Sequence, residues 1–288
     1  DKGSWRPRDR GVGRHMEAIT PLAPRTMFES YFRSADVLLK VYRLLETGEG
    51  RSPSAVVDQV RVLLAVQQDE ALVWLLNDVF VGFVRERAQL SSGFFRHQNM
   101  ALLLRQAVVA ACTAMDIYFP ELLRRYLPTM IQIKQRNFVP TARDVADFFR
   151  DFRLSLDEHL RIVEDPQHAH DELGRLLLRH VDKRGLANVS GISVTLKLLD
   201  FEDPWREISQ HLGRRQNELQ TQIEELVSRR NDIIHRGDRA AGSTTSTPND
   251  ILYSWTSTRL DAAKNVVLAC DEMVRLRMDA YAAIVEAT

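Results

Sequence analysis

Residues 228–237 read Ser228-Arg229-Arg230-Asn231-Asp232-Ile233-Ile234-His235-Arg236-Gly237, the end of a long polar segment that passes at once into a loop. On an ideal helix each residue advances ~100° around the axis. Leu219, Ile223, Leu226, Val227, Ile233 and Ile234 then fall within an arc of roughly 120°. Arg230 falls near the middle of that arc, and Asn231 and His235 sit together on its flank, one turn apart. An arginine centred in an apolar stripe is costly unless it is paired or faces an anion. The bland alternative is a helix-ending histidine favoured by the helix dipole, beside a solvated Ser-Arg-Arg face.

Working outward, the 288 residues are 44% hydrophobic, enough for a sizeable core, and Pro and Gly are scarce. The apolar periodicity is helical almost throughout, so the predicted class is all-α. Lys+Arg and Asp+Glu stand at 39 each. The overall field therefore does not advertise nucleic-acid binding, and any such contact must come from local patches. Cys112 and Cys270 lie far apart, which argues against a disulfide scaffold or zinc site and for a reducing, cytoplasmic setting. No secretory signal is legible, and no apolar run is read as reaching membrane-spanning length.

Residues 1–23 are basic and aperiodic and read as a disordered or vector-derived leader, with Met16 as the natural start. Residues 24–95 form an expected N-terminal helical segment. It holds one helix from about Thr26 to Thr47, a second opened by Pro53, and a third, apolar on nearly every side, from about Asp69 to Leu90. Residues 96–288 form the expected main helical domain. A helix starting near Gln98 carries Leu104, Val108, Ala111, Met115 and Tyr118. Pro120 should kink it or open a new one, and Pro128 should help end it. Short helices follow, one capped by Thr141 and covering Val145 to Phe152, the next about Leu156–Glu164, then about His168–Lys183. Asn188–Leu199 reads equally as strand or helix. Asp203-Pro204-Trp205 reads as an N-cap, a first-turn proline and a helix start. The motif helix spans about Arg214–His235 and Gly237 stops it. A Gly/Ser/Thr loop leads to a last helix from Pro248 or Asn249 to near the C-terminus. Cys270 lies on its apolar stripe and reads as packing.

The stretch quoted first resembles the signature of the HEPN superfamily, closest in character to its RiboL-PSP and MAE-type families: Arg, a polar residue that is often Asn, three residues, then His, near a helix end. The resemblance extends over residues 96–288 at most. It implies an antiparallel helical bundle with an extra N-terminal segment, and a metal-independent endoribonuclease that needs no cofactor. It further implies a homodimer through the motif helix, so that two copies of the motif form one site. Within Ala114–Tyr118, Asp116 resembles an acidic-aromatic step of several HEPN families. It either pairs with Arg230 or is a solvated or capping acid.

The chemistry suits the residues. Histidine moves protons near neutrality, and the planar guanidinium fork suits a crowded phosphate. The roles implied are His235 as general base or acid, Arg230 as phosphate clamp, Asn231 as positioning group, and Arg229 and Arg236 as RNA-backbone contacts. A toxin or antiviral effector, with a possible antitoxin or regulatory protein as partner, is the implied biology. Where toxins of this kind are modified at a Tyr two residues after the His, this chain has Gly237, so control by that route is not expected. Two rival readings are a catalytically inactive HEPN-like module binding RNA, nucleotide or a protein partner, and a plain helical interaction protein. No metal is expected: His168 and His170 point to different helix faces. Arg124, Arg125, Lys134 and Arg136 read as a surface cluster or an RNA guide.

Overall fold

The structure, a computed structural model, describes residues 23–47, 97–134, 143–181, 185–239 and 248–286. Among these all regular structure is helical: α1 (Pro24–Thr47), α2 (His97–Lys134), α3 (Arg143–Phe148), α4 (Leu156–Glu164), α5 (Ala169–Val181), α6 (Val189–Leu198), α7 (Pro204–Leu212), α8 (Gln216–Arg236) and α9 (Tyr253–Glu286). The second and third helices expected near Pro53 and Asp69–Leu90, the Thr141 cap and the Gly/Ser/Thr loop lie outside the described residues.

Helix α2 is the axis of the fold and packs on α1, α5, α6, α8 and α9. Its side chains Leu104, Val108, Ala111, Met115, Tyr118, Phe119, Leu122, Leu123 and Leu127 are all buried. Contacts along its length fix the directions of its neighbours. Phe28 of α1 meets Tyr118 edge-on at 5.8 Å, while Tyr42, further along α1, stacks on Tyr253 at the start of α9 at 5.8 Å. Arg105 bonds Asp238, just past α8, whereas Arg230 bonds Asp116. Tyr118 donates to Asp271 of α9 at 3.4 Å. Thus α1 and α8 run antiparallel to α2 and α9, giving the antiparallel bundle. Phe28, Phe32, Ala35, Leu39 and Tyr42 of α1 join the same core as α2 and α9, so the first N-terminal helix completes the bundle.

Four expectations change. Helix α2 does not end at Pro128, nor does a new helix open at Pro120; it runs unbroken to Lys134. Each interior proline costs about 3 kcal/mol or more in lost hydrogen bonding and crowding. Burial of a large apolar side chain returns roughly 1.5–3 kcal/mol, and Phe119, Leu122, Leu123, Leu127 and Met130 are all inside. Pro128 has a seat: a Cβ on Gly174 of α5 would stand 3.3 Å from its Cγ. Asn99–Lys134 is, against expectation, long and apolar enough to cross a membrane, but half of its apolar window is buried inside the bundle, as a core helix requires. The predicted helix over Val145–Phe152 stops at Phe148. The last helix starts at Tyr253, because the carbonyls of Asn249 and Asp250 are taken by arginine side chains instead of a first helical turn.

Between Asn188 and Leu199 the chain is helical. Asn188 Oδ1 accepts from Gly191 N at 2.8 Å, an N-cap that decides the segment against a strand. A Cβ on Gly191 would fall 2.5 Å from Leu186 Cα, so the cap packs backbone against backbone. Asp203 caps α7 with Pro204 in its first turn, as the sequence indicates.

Candidate functional site

Helix α8 buries Leu219, Gln222, Ile223 and Leu226 in its first three turns. Its last turns emerge from the core. Val227 and Ile233 are half-buried, while Ile234, expected in the stripe, is 51% exposed. The helix ends as Gly237 predicts. Gly237 takes φ 59°, the left-handed stop, and the N–H groups of Gly237 and Asp238 both reach back to Asp232 O, the Asp238 bond at 2.8 Å.

Arg230 leans from the stripe onto α2, where its Nη2 donates to Asp116 Oδ2 at 3.1 Å. Of the two readings of Asp116, the pair with the motif arginine is the one the structure takes. The arginine side chain is 22% exposed and the carboxylate 37%, so the pair lies at the edge of the bundle with one side open. Burial raises the Asp116 pKa above its ordinary value, with the Arg230 charge pulling the other way. Beneath the pair, burial pushes the Cys112 thiol up to about 12, opposed by Arg230, so it is a packing residue. Arg230 Nε is buried without a hydrogen-bond acceptor among the described residues.

Asn231 and His235 are exposed on the far flank of α8. Neither side chain makes a hydrogen bond or ion pair among the described residues. Helical geometry sets His235 about 140° round the axis and ~7.5 Å along it from Arg230. One chain therefore groups Asn231 with His235 but turns Arg230 aside. Arg236 is exposed and pairs with Asp232 one turn earlier on the surface.

Arg229 behaves differently from the expectation of an RNA contact. Its Nη2 donates to Asp238 Oδ2 at 3.0 Å and to the carbonyls of Asn249 at 3.1 Å and Asp250 at 2.7 Å. Its Nε lies 2.7 Å from Asp238 Oδ1 as an ion-pair contact not aligned as a hydrogen bond. Arg105 of α2 completes the cluster, donating from Nε to Asp238 Oδ2 at 2.5 Å and from Nη2 to Asn249 O at 2.7 Å. Asp238 is fully buried and holds φ 64°. Its own carbonyl accepts from Asn249 N at 2.7 Å. Two arginines thus clamp the end of α8 and the approach to α9 around one carboxylate. Sequence reasoning passed over Asp238 and Arg105. The one local signal was an acid set between Arg236 and Arg239 directly after the helix-stopping glycine.

An open cleft of about 510 Å³ lies beside this clamp, walled by Asn99, Leu102 and Gln106 of α2 and by Ile233, Gly237 and Pro248. It is on the Ile233 side of α8, away from His235. The other sequence candidates sit apart from the motif. Arg124 pairs with Glu121, Lys134 pairs with Asp200, and Arg125 lies over the Tyr126 ring. His168 is held by Asp165 at 2.9 Å. Arg136 and the side chain of His170 lie outside the described residues.

A helical bundle that closes on an Arg-Asn-x₃-His helix, with the arginine braced by an acid from the central helix, has the architecture of a HEPN module. The family model described as RiboL-PSP-HEPN matches residues 85–272, from just before α2 well into α9, and the chain belongs to that family. HEPN domains are nuclease- and RNA-related modules, and in kind this chain is one. No curated protein and no solved structure matches it.

Proposed function

We propose that the protein is a metal-independent endoribonuclease of HEPN type, working as a homodimer in the cytoplasm as a toxin or antiviral effector. The observation that supports it most is the pose of the motif. Arg230 is braced by Asp116 at the open edge of the bundle, and Asn231 and His235 stand unengaged on the outer face of the same helix. Because Arg230 and His235 diverge around α8, one copy does not converge both on a single phosphate. A second copy related by a two-fold axis along α8 supplies the complement.

In the reaction proposed, His235 of one copy takes the proton from a ribose 2′-hydroxyl, and the oxygen attacks the adjacent phosphorus. Arg230 donates to the non-bridging oxygens as charge builds there. The second histidine gives a proton to the departing 5′-oxygen, leaving a 2′,3′-cyclic phosphate and a 5′-hydroxyl. Asn231 positions the imidazole or a phosphate oxygen. Arg236, exposed at the helix end, contacts the RNA backbone, and Arg229 acts from behind by holding the helix end through Asp238.

One observation favours a second reading, a catalytically inactive HEPN-like module that binds RNA, nucleotide or a protein partner: the Arg230 charge is already countered by Asp116. Incubating RNA with the purified protein in excess chelator separates the two. The nuclease reading expects cut RNA with cyclic-phosphate ends, and loss of cutting in Arg230→Ala and in His235→Ala with the fold retained. RNA retained uncut by wild type supports the silent module. Equal cutting by wild type and both variants ends the nuclease reading.

A further inference from the structure

The cleft beside the Arg105–Asp238 clamp differs in chemistry from the motif next to it. Asn99, Leu102 and Gln106 of α2 line it together with Ile233, Gly237 and Pro248, around about 510 Å³. That volume is in the range of small-molecule sites. Arg105 is the charged residue on its wall, and its Nε and Nη2 are already spent on Asp238 and the Asn249 carbonyl. Leu102 is 54% exposed, Ile233 is half-buried and Pro248 is exposed, so apolar surface is open to the cleft. Gln106 is exposed, and its side-chain amide makes no hydrogen bond among the described residues. A Cβ on Gly237 would meet nothing within 4 Å, so the cleft stays open where α8 stops.

These walls select an occupant. An anion finds no unspent cation there, and a cation finds no carboxylate on the wall. A docked helix, from a second copy or another protein, is ~10 Å across and seats on rows of apolar side chains. Here α8 offers only Ile233 and Gly237, a single turn. Residues 240–247 of this chain, which lead to Pro248, read Ala-Ala-Gly-Ser-Thr-Thr-Ser-Thr and bring no ring or long apolar chain to cover Leu102 and Ile233. Phe94 and Phe95 ahead of α2 have rings, but a phenyl ring offers the Gln106 amide no hydrogen-bond partner. A nucleobase has both parts: apolar faces for the walls and a donor-acceptor edge for the amide. Adenine is the base whose adjacent donor and acceptor a glutamine amide meets with two bonds. Ile233 and Gly237 stand ~4.5 Å and ~10.5 Å along α8 from Arg230.

We propose that this cleft is an adenine subsite for single-stranded RNA. Gln106 reads the base edge, Leu102 and Ile233 hold its faces, and the adenosine sits about one or two nucleotides from the phosphate at Arg230. His235 of the same chain is on the other side of α8, so the imidazole acting beside this base is the one a second copy supplies. The inference rests on RNA being the ligand, as under the proposed function, and adds the base it selects.

The test measures binding by fluorescence anisotropy to short uridine oligonucleotides carrying one adenosine, guanosine or cytidine. All carry 2′-fluoro sugars, which lack the attacking hydroxyl, and the full-length protein is used. Adenosine should tighten binding about tenfold over each other base. Gln106→Ala and Gln106→Met, the second keeping the length of the side chain, should each remove that preference with thermal melting as in wild type. The ribose versions, cut in excess chelator, should be cleaved within two nucleotides of the adenosine. Binding or cutting with no preference for adenosine, or a preference that survives in both Gln106 variants, overturns the subsite and leaves the nuclease reading standing. Adenosine-selective binding lost in both variants but without cutting supports the subsite and ends the nuclease reading. Oligonucleotides neither bound nor cut overturn both.

Discussion

Arg230 and Asp116, 114 residues apart in sequence, meet through a 3.1 Å hydrogen bond between α8 and α2. The bond ties the motif to the central helix and places the guanidinium at the rim of the core. It also has a titration consequence. The Asp116 pKa is raised in the folded protein, by burial first, with Arg230 opposing. A raised carboxyl binds its proton more tightly in the folded state than in the unfolded one. Its contribution to stability is therefore greatest below the unfolded value near 3.9 and declines as pH rises through the raised folded value.

Asp116→Asn removes that decline. The difference in urea midpoint, wild type minus variant, should fall as pH rises from about 4 towards neutrality. A difference that grows over the same window would mean that the Arg230 attraction outweighs burial.

Arg230→Ala should raise the Asp116 pKa further, because it deletes the charge that holds it down. The carbon-13 shift of the Asp116 carboxyl, followed by NMR across pH, reads this directly. An unchanged midpoint would show that the 3.1 Å contact is not formed in solution.

Asp238→Ala strands two largely buried arginines, which is expected to cost about 3–5 kcal/mol. Arg105→Ala should cost less, because Arg229 still pairs with the carboxylate. Urea denaturation of both variants and of the double variant measures the coupling; strictly additive losses would show that the clamp is not a unit.

Gly237→Ala tests the helix stop alone. A Cβ there meets nothing within 4 Å, so only the left-handed backbone at φ +59° is penalised. The expected loss is roughly 1–2 kcal/mol, and Gly237→Asn should lose less.

On the nuclease reading, His235→Ala should reduce cleavage by roughly 10²-fold or more. Arg230→Lys keeps the charge but not the planar fork, and should also fall by about 10²-fold in kcat. Single-turnover rates on one RNA check both, and a Lys variant close to wild type would demote Arg230 from clamp to general charge.

Local chemistry was legible before any packing was known. Asp203-Pro204 and Gly237 mark where α7 starts and α8 stops, because caps and glycine stops act within a few residues. The apolar spacing placed α1, α2 and α8 for the same reason. The spacing of Leu156, Leu160 and Val163 likewise drew α4, but could not say that its stripe faces outward, since periodicity gives a face and not its neighbour.

By itself, then, the sequence determined an all-helical chain and an Arg-Asn-x₃-His helix end with the character of a HEPN module, since helical period and motif spacing are properties of consecutive residues. Tertiary structure alone decided that Arg230 meets Asp116, that Arg229 turns inward with Arg105 onto Asp238, and that α2 survives two prolines. Each of those depends on groups brought together by packing: ion pairs joined across more than a hundred residues, and burial that offsets a local penalty only once neighbouring helices are in place.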